Sequence, residues 1–137
     1  MTRREQREAI IGLLFETEFH KEESADEIYC ISSENREFDD KADAYIKDTY
    51  LNIIENIDEI DALIGECAHG WKTKRLSRIS RAVLRLAVYE IKYVDEVPSS
   101  VAINEAIELS KTYDDEKAKA FINGVLNAVK DKVEGKS

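Results

Sequence analysis

One proline and five glycines in 137 residues leave this chain little to build turns from. Tight turns use glycine for positive φ and proline for a preset φ, so a sandwich or barrel of many short strands is excluded. Two cysteines, Cys30 and Cys67, are too few for a disulfide framework and suit a reducing compartment. The two histidines, His20 and His69, stand apart from any nucleophile motif. Cys67-Ala68-His69 offers two soft ligands, but a structural zinc site wants four, and the other candidates, Cys30 and His20, are irregularly spaced. A core cysteine and a histidine at a helix end are the simpler assignment, so no metal and no other cofactor is expected. Gly124 has no glycine neighbours and makes no phosphate loop. The acidic runs Asp39-Asp40 and Asp114-Asp115-Glu116 fit helix starts, where carboxylates complement the dipole. No catalytic constellation emerges, and the chain does not read as an enzyme. No stretch approaches about 18 consecutive apolar residues, so no membrane span is expected. The opening MTRREQREAIIGLLF lacks the long apolar run and small-residue cleavage site of a signal peptide, which points to the cytoplasm.

What is abundant is helix-forming. Ala, Leu, Glu, Lys, Arg and Ile fill most positions, and 43% of residues are hydrophobic, close to the globular average. A first helix is predicted from about Arg4 to Phe19, with Ile10, Leu13, Leu14 and Thr17 as its stripe, widened by Ile11 and Phe15. Ser24 followed by Glu27 has capping-box form and opens a short helix to about Ile31; residues 32–37, SSENRE, read as a polar loop. From Phe38 the pattern resumes, with Ala42, Tyr45, Ile46, Thr49, Tyr50, Ile53, Ile54 and Ile57 at helical spacing. Asp58 is a candidate cap for a helix with Ile60, Leu63, Ile64 and Cys67 inward, and Gly70 suits a left-handed helix end. Ile79, Ala82, Val83, Leu86, Val88, Tyr89 and Tyr93 make a helix apolar nearly all round, which should sit centrally. Pro98 breaks it off. Then come a helix with Ala102, Ala106, Leu109 and Tyr113 inward, and a last one with Ala118, Phe121, Ile122, Val125, Leu126, Val129 and Val133 inward, capped by Asp114 or Asp115. The expected fold is all-α: a compact bundle of six or seven helices forming one domain, 1–137, in approximate halves 1–70 and 71–137.

Net charge is −9, but it is partitioned along the chain. Residues 16–66 hold seventeen acids and four bases; residues 71–85 hold six bases and no acid; residues 117–136 hold five lysines and two acids. Such asymmetry suggests a polyanion on one face and a different partner on another. Arg3, Arg4 and Arg7 fall on one side of the first helix, where three guanidiniums can bridge phosphates. Cations at a helix N-terminus oppose the dipole, so local stability does not account for them. They precede the apolar stripe and are expected to pack little. Arg78, Arg81 and Arg85 form a second stripe, which either pairs with the acidic 16–66 segment or faces nucleic acid.

These motifs coincide with a known family. Over nearly its whole length the chain resembles NusB: RREQREAIIGLLFETE is similar to the family's arginine-rich opening helix, RISRAVLRLAVYEIKYVDEVPSSVAINEAIELSKTY to its most recognisable stretch, and FINGVLNAV to its closing helix. The resemblance implies an all-helical fold of two helical subdomains and binding to the boxA element of nascent ribosomal RNA transcripts. It also implies a heterodimer with NusE, a small-subunit ribosomal protein, in the antitermination complex that lets RNA polymerase read through terminators. It allows a homodimer of the free protein. Arg3, Arg4 and Arg7 match the family's RNA-binding arginines. Glu5 and Gln6 stand where many relatives are more basic or small, which lowers the RNA affinity expected. Phe15 replaces a common tyrosine. Before FINGVL many relatives read Glu-Asp-Ser; here Glu116-Lys117-Ala118 turns an acidic site basic. Lys117 and Lys119 are then either phosphate contacts or plain surface lysines. Phe121 either stacks on a base or is buried in its own stripe.

Two other functions compete. A NusB-like domain precedes the catalytic domain of some ribosomal RNA cytosine methyltransferases, but no cofactor-binding domain follows before Ser137. A helical adaptor that binds only protein is the third reading.

Overall fold

The first helix is set by its cap. The Thr2 hydroxyl accepts from the Glu5 amide at 3.1 Å, while the Glu5 carboxylate accepts from the Thr2 amide at 2.8 Å. This reciprocal capping box satisfies two of the N–H groups that a helix start leaves open. It fixes α1 over Arg3–Thr17. The computed structural model describes residues 1–33, 39–68, 77–113 and 116–135. Among these there are seven α-helices and no strand, so the all-α expectation is borne out. The helices fall into two compact units, Met1–Asn56 and Ile57–Ser137.

In the first unit α1 packs on α2 (Ala25–Ser33) and α3 (Asp40–Glu55). Ile10, Ile11, Leu13 and Leu14 of α1 are buried together with Ala42, Ile46, Tyr50 and Ile53 of α3. Each such aliphatic side chain contributes roughly 1.5–3 kcal/mol through burial. α1 stops two residues before the anticipated Phe19. Thr17, its last residue, turns its hydroxyl to the Leu13 carbonyl at 2.8 Å and to the Tyr50 hydroxyl at 2.6 Å, tying the helix end to α3. Phe19 lies beyond the helix with its ring edge against Phe15, 5.0 Å between centroids. The Ser24 hydroxyl accepts from the Glu27 amide at 3.1 Å, as its capping-box spacing predicted. α2 continues past Ile31 to Ser33, and Ser32 donates to the Glu16 carboxylate of α1 at 2.6 Å. Residues 32 and 33, expected in a polar loop over 32–37, are thus helical, and 34–37 lie outside the described residues. Asp39 caps α3 by accepting from the Ala42 amide at 2.8 Å. Tyr45 and Ile54, read as core positions, are only half-buried.

The second unit opens with α4 (Ile57–Cys67), which packs against α5 (Arg78–Tyr93) and α7 (Glu116–Val133). These contacts start the unit at Ile57 rather than near residue 71. Asp58 is not the cap expected; it lies in the first turn of α4, beside Glu59. Ser77 caps α5 through the Ser80 amide at 3.0 Å. α5 touches α4, α6 and α7 and buries residues on every side, including Leu84, Leu86, Val88 and Tyr89, which is the central position its sequence implied. Pro98 precedes α6 (Ser99–Tyr113), and its carbonyl accepts from the Val101 and Ala102 amides at 2.9 and 3.1 Å. Ser99 donates to Glu134 at 3.2 Å, joining the start of α6 to the end of α7. Two inward assignments fail at helix ends: Tyr113 is 43% exposed and Val133 38% exposed, each the last residue of a helix that outruns the core. Gly70 and the proposed caps Asp114 and Asp115 lie outside the described residues.

Candidate nucleic-acid interface

The capping box of α1 decides how its arginines are displayed. Glu5, the acid between them, has its carboxyl held below the usual carboxylate range by the Thr2 backbone amide and then by the Thr2 hydroxyl. It remains an anion committed to the helix end. Arg3 and Arg4 are exposed. Arg3 lies over the Tyr45 ring of α3, its guanidinium carbon 3.7 Å from the centroid, and donates to the Gln6 side-chain oxygen at 3.0 Å. Arg7 departs from expectation. It is 4% exposed and packs with the interior instead of lying ahead of it. The reason is periodicity: positions 7, 10, 11 and 14 share one helix face, so Arg7 starts the very stripe that Ile10, Ile11 and Leu14 continue.

In the second unit, Lys117 is exposed in the first turn of α7 and Lys119 is half-buried. Phe121 is also half-buried, neither an open platform nor a core residue. It lines a groove of about 300 Å³ with Cys67, Ala68, Ala120, Gly124, Val125 and Ala128. At Gly124 an added Cβ would meet open space, so the groove floor is bare backbone there. The structure therefore gathers Arg3, Arg4 and Arg7 on α1, and Lys117, Lys119 and Phe121 on α7.

The second basic stripe has a partly structural explanation. Arg85 forms a two-pronged pair with Asp61 of α4, Nε and Nη2 each 2.9 Å from a carboxylate oxygen. Asp61 belongs to the acidic 16–66 segment, so at Arg85 pairing with that segment is what occurs. Lys72, Lys74 and Arg75 lie outside the described residues. Lys132 of α7 pairs with Glu66 of α4, and this contact raises the lysine's pKa. Burial pushes the Cys67 thiol up, which favours the neutral side chain assigned to the core. The contact of Arg3 with Tyr45 was not foreseen from the spacing of either residue. The place of Tyr45 in an apolar stripe concealed it, and only the pairing of α1 with α3 reveals the stack.

An all-α protein with cations clustered at the starts of its first and last helices is thus defined by fold and surface. A sequence profile described as the NusB family matches residues 4–131. The transcription antitermination protein NusB of Agathobacter rectalis is 45% identical over 127 residues, covering 92% of this chain and 97% of its own. The solved structure of T. maritima NusB aligns with a TM-score of 0.87 at 35% identity, covering 96% of this chain and 92% of that one. A chain in the solved complex of the antitermination factors NusB and NusE with double-stranded RNA aligns with a TM-score of 0.80 at 27% identity, covering 96% and 99%. The chain belongs to the NusB family.

Proposed function

We propose that this protein is a cytoplasmic RNA-binding transcription antitermination factor. It binds boxA of nascent ribosomal RNA transcripts together with NusE and supports read-through by RNA polymerase. The observation that carries this reading is the near full-length match to a relative named as an antitermination protein. The surface supports it. Arg3 and Arg4 present guanidiniums that suit phosphates, since arginine offers a planar fork of donors. Arg7, almost without exposed surface, anchors the motif from inside α1. Lys117 and Lys119 add charge at the start of α7, and Phe121 on its groove gives one base a face to stack on, worth about 1–3 kcal/mol. No catalytic step is assigned to the chain.

A protein-binding adaptor is the second reading, favoured by the burial of Arg7 and the pairing of Arg85, which withdraw two cations from the surface. Filter binding of boxA RNA against a scrambled RNA separates the two. The antitermination reading expects preference for boxA and a salt slope of roughly −3 to −4, from about four to six neutralised phosphates on a single strand. Binding of neither RNA would leave the adaptor.

A further inference from the structure

Arg3 sits at the edge of an acidic protein. α3, the helix beside it, carries Asp40, Asp43, Asp48 and Glu55 against Lys41 and Lys47. An arginine beside such a helix ordinarily pairs with a carboxylate, as Arg85 does with Asp61 in the second unit. That pairing consumes the guanidinium fork and neutralises the charge a phosphate would seek. Arg3 is held differently. Both of its described contacts, the Tyr45 ring and the Gln6 side-chain oxygen, are uncharged. A ring face attracts a guanidinium through its quadrupole, fixes its plane, and leaves its positive charge in place. A guanidinium that stacks on a ring engages its face and leaves the N–H donors, which lie in its plane, to other partners. Tyr45 is half-buried, so the platform is supported by α3 on one side and open toward Arg3 on the other.

We propose that Tyr45 is a positioning residue for RNA: it holds the Arg3 guanidinium against an uncharged partner, with the N–H donors beyond the one given to Gln6 left to a phosphate, and so keeps α3's carboxylates from capturing it. This rests on the RNA-binding reading above and extends the RNA-binding machinery from α1 to α3. Tyr45 acts through Arg3 and needs no contact with RNA itself. What it supplies is the aromatic face, so phenylalanine should serve and leucine should not.

The test uses the full chain and a single-stranded RNA oligonucleotide carrying boxA, with affinity measured across a salt series. Arg3→Ala and Tyr45→Leu are each expected to weaken binding about three- to tenfold. Each should also reduce the magnitude of the salt slope by about 0.7, the share of one phosphate on a single strand. The double variant should bind no more weakly than Arg3→Ala alone, because the two changes remove one interaction. Tyr45→Phe should stay within about twofold of the wild type, with its salt slope unchanged. Thermal unfolding of Tyr45→Leu checks that the fold persists, and Tyr45→Phe keeps the test valid if it does not. If the wild type binds boxA RNA and Tyr45→Leu binds equally well, the inference falls alone. It also falls if the two single effects multiply in the double variant, or if Tyr45→Phe loses as much as Tyr45→Leu. A wild-type chain that binds no boxA RNA overturns the antitermination function itself and the inference with it.

Discussion

Arg7 is 4% exposed, Arg85 is clasped by Asp61, and Arg3 lies on a tyrosine ring. One residue type thus performs three tasks, and what separates them is the neighbour each meets. Sequence spacing put Arg3, Arg4 and Arg7 on one side of α1, and it also held the sign that Arg7 differs, because position 7 is in phase with Ile10, Ile11 and Leu14. Tyr45 was hidden for the opposite reason. It was in phase with the core stripe of α3 yet sits at its margin, and its contact with Arg3 depends on tertiary packing that no local pattern encodes. The arginine assignments predict different stabilities. A buried arginine contributes through the packing of its stem as well as its charge. Arg7→Ala should therefore destabilise the protein by about 1–3 kcal/mol, whereas the exposed Arg4→Ala should stay within about 0.5 kcal/mol of wild type. Urea unfolding of the two single variants decides; equal stability would show that the burial of Arg7 carries no energetic weight.

Helices were legible wherever a stripe was long, and their ends were legible only where a cap was written in the sequence. α5 and α7 show this best: eight apolar residues are buried in α5 and four in α7, Ile122, Val125, Leu126 and Val129. Ser24 and Glu27 mark the start of α2, and Thr2 and Glu5, with the same spacing, mark that of α1. At the other ends, hydrophobic periodicity ran past the point where the core stops, which is why Tyr113 and Val133 emerged exposed. The division into halves shifted because α4, joined to α3 by almost no linker, packs on α5 and α7. The cap of α1 matters beyond stability, since the first turn it orders is the one that carries Arg3 and Arg4. Thr2→Ala should lower stability by about 1 kcal/mol, the usual cost of losing an N-cap. It should also weaken RNA binding, because an unravelled first turn no longer presents the arginines together. Circular dichroism melting and RNA titration of this variant test both halves. A melting midpoint equal to wild type would show that the capping box is not held in solution.

Charge on the whole chain is divided between a strongly acidic stretch, 16–66, and cationic helix starts at Arg3-Arg4 and Lys117-Lys119. On the proposed function, that division suits RNA at the cationic helix starts and a basic protein at the acidic stretch. The RNA surface proposed is small, because Arg7 is buried and three of the six tyrosines, Tyr29, Tyr50 and Tyr89, are buried in the core. Recognition of single-stranded RNA usually needs several bases stacked on exposed rings, and here Phe121 alone is assigned that part. The isolated chain should therefore bind boxA weakly and with modest selectivity. NusE, as a basic ribosomal protein, is the partner expected to complete the site, and complementary charge should speed its association. We predict a one-to-one complex in which NusE tightens boxA binding by a factor on the order of ten or more, a coupling of at least about 1.4 kcal/mol. Coupling of binding free energies is reciprocal, so boxA RNA must tighten the contact between the two proteins by the same factor. Titration calorimetry of each pair, with and without the third component, measures both sides of that cycle. If the proteins fail to associate at micromolar concentration, or if NusE leaves RNA affinity unchanged, the acidic stretch serves some other protein and the adaptor reading takes precedence.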